Sequence, residues 1–122
     1  MINDKPIIVN EDTPQFASWL SASVMLVQDH HQKSFPTLPA KNLEAEWGTR
    51  YVRIVDVERN TGADAASRPY NRRSAWAFID RTTGDVLKPA SFRAPAKHSR
   101  GNIFDDKNGM GSMGPYGPAY LR

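Results

Sequence analysis

The chain has 122 residues, 39% of them hydrophobic, a net charge of +3 and no cysteine. That length fits one domain with a single modest core, and the lack of cysteine excludes disulfides, thiolate nucleophiles and Cys-based zinc sites. The N-terminus does not read as a secretory signal, and the apolar stretch near residues 16–27, interrupted by Ser18, Ser21 and Ser23, is too short to span a membrane, so a cytoplasmic location is expected.

Residues 1–12 read as an arm, in which Ile7-Ile8-Val9 suits an edge strand. Thr13-Pro14 is a helix start, with a hydroxyl cap followed by proline at the first helical position. Phe16, Leu20, Val24 and Val27 recur at helical spacing, with Trp19 and Leu26 widening the stripe. The spacing predicts an amphipathic helix over roughly 14–30, packed on a sheet. Pro36 and Pro39 mark a connector. The run 40–47 is rich in helix formers and predicts two turns of helix ended by Gly48.

Tyr51 to Val57 is the clearest strand, rich in β-branched residues. Residues 59–73 read as a long mobile loop ending in Arg68-Pro69-Tyr70-Asn71-Arg72-Arg73. Ser74 to Asp80 is a second strand and Val86 to Ala90 a third. Between them, Arg81-Thr82-Thr83-Gly84 suits a tight turn in which Arg81 faces Asp85. From residue 99 the chain becomes a Gly/Pro/Met/Tyr tail. The expected domain is therefore a single unit: an arm over 1–12, a core over 13–98 and a tail over 99–122. Its fold class is α+β, an N-terminal amphipathic helix on a small antiparallel sheet, at least a three-stranded meander, with closure into a small barrel left open.

Charge is uneven along the chain. Residues 1–50 carry 4 basic and 6 acidic side chains, whereas residues 68–100 carry 8 basic and 2 acidic. Such asymmetry favours a polyanionic partner, although a solvated basic surface would look the same. The expected hairpin register places Trp76, Phe78, Val86 and Lys88 on one face and Ala75, Ala77, Ile79 and Leu87 on the other. If the aliphatic face packs under the helix, Trp76 and Phe78 become stacking platforms beside Arg72, Arg73, Lys88, Arg93, Lys97 and Arg100, which would contact phosphate. If the aromatic face is core, the platform disappears; both readings remain open at this point.

Other motifs carry less. Asp29-His30-His31 sits on a helix where adjacent side chains diverge by about 100°, a poor metal geometry. His98 in Lys97-His98-Ser99-Arg100 has no paired acid or base in sequence, which leaves phosphodiester chemistry a minor option. Asp105-Asp106 suits a turn, and the Gly-rich run 109–114 lacks the lysine and context of a phosphate loop. No cofactor and no metal site are implied. Lys88 to Lys97, Arg100 to Asp105, Phe78-Ile79-Asp80, Thr83 to Val86 and the closing Tyr116 to Arg122 resemble a family of small phage-encoded proteins. The resemblance covers the second half of the chain, implies a mobile-element origin and carries no functional residue with it. The expected function is non-enzymatic binding of single-stranded DNA or RNA. The rival is a virion component or accessory subunit that docks through Met110, Met113, Tyr116 and Tyr120.

Overall fold

Pro14 opens a 21-residue helix, α1 (Pro14–Ser34), in the computed structural model, which describes residues 6–38 and 41–119. Pro14 holds the first helical position as expected, but the Thr13 hydroxyl does not cap a helical N–H. It accepts from Asn10 N at 2.8 Å and donates to Ile8 O at 3.4 Å, so it pins the arm instead. The buried stripe is Phe16, Trp19, Ser23, Val27 and His31, rotated so that Trp19 is central while Leu20 and Val24 lie at its margin. Pro36 follows the last helical turn, which Phe35 closes by donating its N–H to His31 O. Among the described residues no helix is long and apolar enough to cross a membrane.

Five strands follow as an antiparallel meander in the order of the chain: β1 (Lys41–Trp47), β2 (Tyr51–Arg59), β3 (Tyr70–Asp80), β4 (Asp85–Pro89) and β5 (Pro95–Asn102). The sheet stays open, with β1 and β5 as edges. A short hairpin, β6 (Met113–Gly114) and β7 (Gly117–Pro118), forms a second sheet. The fold is α+β.

Residues 41–47 of the segment read as a helix over 40–47 form strand β1, a correction with a clear cause. Leu43, Ala45 and Trp47 alternate with Asn42, Glu44 and Glu46, and pairing with β2 places Leu43 and Ala45 opposite Asp56 and Ile54. Leu43 is buried and Trp47 packs on Phe16 with centroids 5.0 Å apart. Tertiary burial of a two-residue period overrides helix propensity here. Gly48 begins a hairpin turn rather than ending a helix, with its N–H bonded to Tyr51 O. The expected loop over 59–73 contracts to residues 60–69, so Arg72 and Arg73 lie within β3. β5 runs across the expected core–tail boundary at residue 98.

The hairpin register also differs from expectation. Phe78 pairs with Leu87 and Ile79 with Val86, one residue away from the predicted alignment. The turn is reset because Arg81 N bonds to Arg50 O, outside the hairpin, and Gly84 N reaches Asp80 O. Gly84 needs its positive φ of 83° for this closure. A bulge then disrupts the alternation of β3: Ile54 pairs with Ala77 while Val55 pairs with Ala75. Trp76 is the extra residue and turns inward beside Ala77.

One face of the sheet is covered. α1 packs there against β1, and the β6–β7 hairpin packs against β3, β4 and the helix. The core under this layer contains Trp19, Val52, Ile54, Trp76, Ala77, Ile79 and Val86. The hairpin fits closely: a Cβ at Gly117 would lie 2.5 Å from Trp76 O. Met110 and Met113 pack against the core from this layer.

Candidate functional site

The two expected stacking residues are both core. Trp76 is 3% exposed and Phe78 2%. They also lie on opposite faces: Trp76 meets Trp19 at 6.1 Å under the helix, and Phe78 meets Tyr51 at 6.3 Å on the other side. The expected platform is therefore corrected. The bulge turns the first ring inward, and large rings are stabilised by burial where a second layer is present to cover them.

The face away from the helix carries a different set of side chains. Pairing aligns Arg53 with Phe78, Val57 with Arg73, and Arg59 with Tyr70. Glu44 and Glu46 project from the same face of β1. Glu46 accepts both Nε and NH2 of Arg53, at 3.0 and 2.7 Å, and also bonds Arg73. Glu44 bonds Arg59 and accepts the Tyr70 hydroxyl at 3.1 Å. Phe92, from the β4–β5 connection, lies over this network. The Arg53 guanidinium sits 4.2 Å from its ring centroid and that of Arg73 5.5 Å, while Arg59 and Arg73 lie 5.1 and 5.4 Å from Tyr70. Phe92 O accepts from Arg53 at 3.2 Å.

Tyr51, Tyr70 and Phe92 are each half-buried. Arg50 stacks over Tyr51 at 5.2 Å and bonds Asp80 at 3.2 Å. Five arginines (50, 53, 59, 73 and 93) thus share this side of the sheet with Glu44, Glu46 and Asp80. The guanidiniums of Arg50, Arg53, Arg59 and Arg73 are held by carboxylates and rings, which lowers the side-chain entropy lost when they meet an anion.

The other predicted residues disperse. Arg73 and Arg93 belong to this open face. Arg72 lies on the covered side of β3, 3.9 Å from Asp56. Lys88 donates to Pro118 O at 3.2 Å and helps hold the hairpin. Lys97 is exposed on the edge strand β5, and Arg100 on that strand donates to Ala119 O. His98 is exposed on the same edge, and its carbonyl accepts from Arg100. Tyr116 is 74% exposed and meets His30 at 3.1 Å; Tyr120 lies outside the described residues. Arg53, Arg59, Tyr51, Tyr70 and Phe92 were not singled out from sequence. The signal for the first three was alternation along β2, where Tyr51, Arg53 and Arg59 share one parity and Val52 and Ile54 the other.

Three carboxylates have firm roles. Asp80 is buried, which opposes its ionisation, but bonds from Thr82 N, Thr82 Oγ1 and Arg50 outweigh this and hold its pKa below the ordinary value. Asp105 is held low first by the Gly109 N–H, then by those of Asn102 and Lys107, so its oxygens organise the loop. Asp64 is lowered by Asn60 and Arg68 within loop 60–69. Among the described residues no group of three or more His, Asp or Glu side chains could hold a metal ion.

A family model matches residues 3–114, nearly the whole chain. The chain belongs to this family of unknown function (DUF7717). No curated protein and no solved structure matches it. Every residue of the open face lies within the matched span, so the arginine–aromatic network falls inside the family's own region.

Proposed function

We propose that the protein binds single-stranded DNA or RNA across the open face of its sheet, without catalysing a reaction on it. The observation that carries this reading is the stacking of four arginines (50, 53, 59 and 73) on three half-buried aromatic residues, with Arg93 beside them, on the face opposite the helix. Bases stack on partly exposed aromatic rings and on guanidinium planes, while the same arginines meet phosphate oxygens. Arg93 and Arg73 keep the phosphate-contact role expected for them. Tyr51, Tyr70 and Phe92 take the stacking role first assigned to Trp76 and Phe78. Lys97 and Arg100, on the β5 edge, would extend the cationic track beyond the sheet face.

The rival reading, docking to a protein assembly through the tail, draws less support. Met110 and Met113 are engaged with the core, which leaves Tyr116 as the exposed member of the described set. Taken with the resemblance to phage-encoded proteins, nucleic-acid binding makes the chain a small accessory factor of a mobile element.

The test is a titration of labelled single-stranded DNA, single-stranded RNA and duplex DNA at two salt concentrations. We expect single strands to bind more tightly than duplex, and salt to weaken them. Arg93→Ala should reduce the salt slope by roughly one phosphate contact. Absence of binding at low salt would overturn the proposal.

A further inference from the structure

At one end of the open face lies a cleft of about 240 Å³. Arg50, Arg53 and Arg93 line it together with Tyr51, Phe78 and Glu46, and the β1–β2 turn at Gly48 and Thr49 forms one wall. Its charges do not balance. The Arg50 guanidinium is matched by Asp80, at 3.2 Å. Glu46 is divided between Arg53 and Arg73, so one carboxylate serves two cations. Arg93 is exposed and pairs with no carboxylate among the described residues. With the ion-pair partners Arg73 and Asp80, which lie outside the lining, four guanidiniums stand against two carboxylates, a surplus of +2 around the cleft.

That surplus discriminates between phosphate types. An internal phosphodiester carries a single charge, whereas a phosphate monoester carries about −1.5 to −2 at neutral pH and offers three acceptor oxygens. Guanidinium groups suit such oxygens because they donate two parallel hydrogen bonds in a fixed plane. The cleft is also too small for a run of nucleotides, but it admits one phosphate with part of its sugar or base against the Tyr51 ring. We propose that this cleft receives the terminal phosphate monoester of a single strand lying on the sheet. The inference rests on the single-strand reading and adds that the protein recognises a phosphorylated end.

The test compares one oligonucleotide in three forms: 5′-phosphorylated, 3′-phosphorylated and hydroxyl at both ends. Fluorescence polarisation with the full chain reads their affinities. One phosphorylated form should bind about tenfold more tightly than the hydroxyl form, as expected for charge-assisted bonds gained at a single group. Arg93→Ala should bring that ratio close to one; Arg93 is an exposed loop residue, so this variant keeps the fold. Equal affinity for all three forms, with binding intact, would overturn the end-recognition proposal and leave the single-strand reading standing. If no oligonucleotide binds but a nucleoside monophosphate still does, measured by calorimetry and lost in Arg93→Ala, the single-strand reading fails while the monoester cleft stands. If neither binds, both fail.

Discussion

Trp19 of the helix and Trp76 of the sheet lie 6.1 Å apart, tilted by 56°, yet their indole N–H groups have different fates. That of Trp76 donates to Pro115 O at 3.2 Å and ties the terminal hairpin to the sheet, whereas that of Trp19 is buried with no acceptor among the described residues. Replacing an unsatisfied donor by an apolar group removes a desolvation penalty, while deleting a satisfied one leaves its partner unmet. Trp76→Phe should therefore destabilise the fold more than Trp19→Phe, by on the order of 1 kcal/mol. Urea unfolding midpoints measure the difference, and equal midpoints would remove the Pro115 bond from the account.

Asp80 sets an acid limit. Its pKa is lowered in the folded state, so the unfolded chain holds the proton more tightly. The stability it contributes is complete above the ordinary aspartate value of about 3.9 and is lost as pH falls through the lower folded value. Asp80→Asn cannot ionise, so its melting temperature should fall less steeply than that of the parent below about pH 4. Parallel pH profiles would show that the Thr82 and Arg50 bonds do not favour the charged form.

Gly84 is restricted twice. Its φ of 83° disfavours any side chain, and a Cβ there would lie 2.6 Å from the Phe104 ring. Gly84→Ala should cost about 1–2 kcal/mol from the backbone alone, with a further loss from displacing the ring. Phe104 is 41% exposed, so Phe104→Ala should relieve only the second part. A double-mutant cycle should then show favourable coupling; strict additivity would mean the ring moves aside freely.

Much of the fold was legible where local and tertiary preferences agree. Thr13-Pro14 marked the helix start, and the β-branched run after Tyr51 marked β2. β1 was not legible, because Leu43, Glu44, Ala45 and Glu46 are good helix formers and only pairing with β2 makes them a strand. The side taken by Trp76 was equally hidden, since a single bulge between Ala75 and Ala77 decides it and no residue type announces one. The candidate site suffered for the same reason. Tyr70, Phe92 and Arg59 fall in segments that read as loop, and Arg53 comes from a strand that read only as core.

Phe92 and Trp76 give opposite expectations for binding. Phe92→Ala removes a partly exposed ring and should weaken single-strand affinity by about 1–3 kcal/mol, with little change in salt slope. Trp76→Phe should leave affinity unchanged wherever the variant is folded, because the ring lies under the helix. Unchanged affinity in Phe92→Ala, or a marked loss in folded Trp76→Phe, would place the bases elsewhere.

An NMR titration of the isotope-labelled protein with single-stranded oligonucleotide decides whether the face away from the helix is the binding face. Shifts are expected in the arginine Nε–H signals of Arg53, Arg59, Arg73 and Arg93 and in the rings of Tyr70 and Phe92, with α1 and the β6–β7 hairpin unmoved. Shifts confined to α1 or the hairpin, or no shifts at all, would contradict that reading.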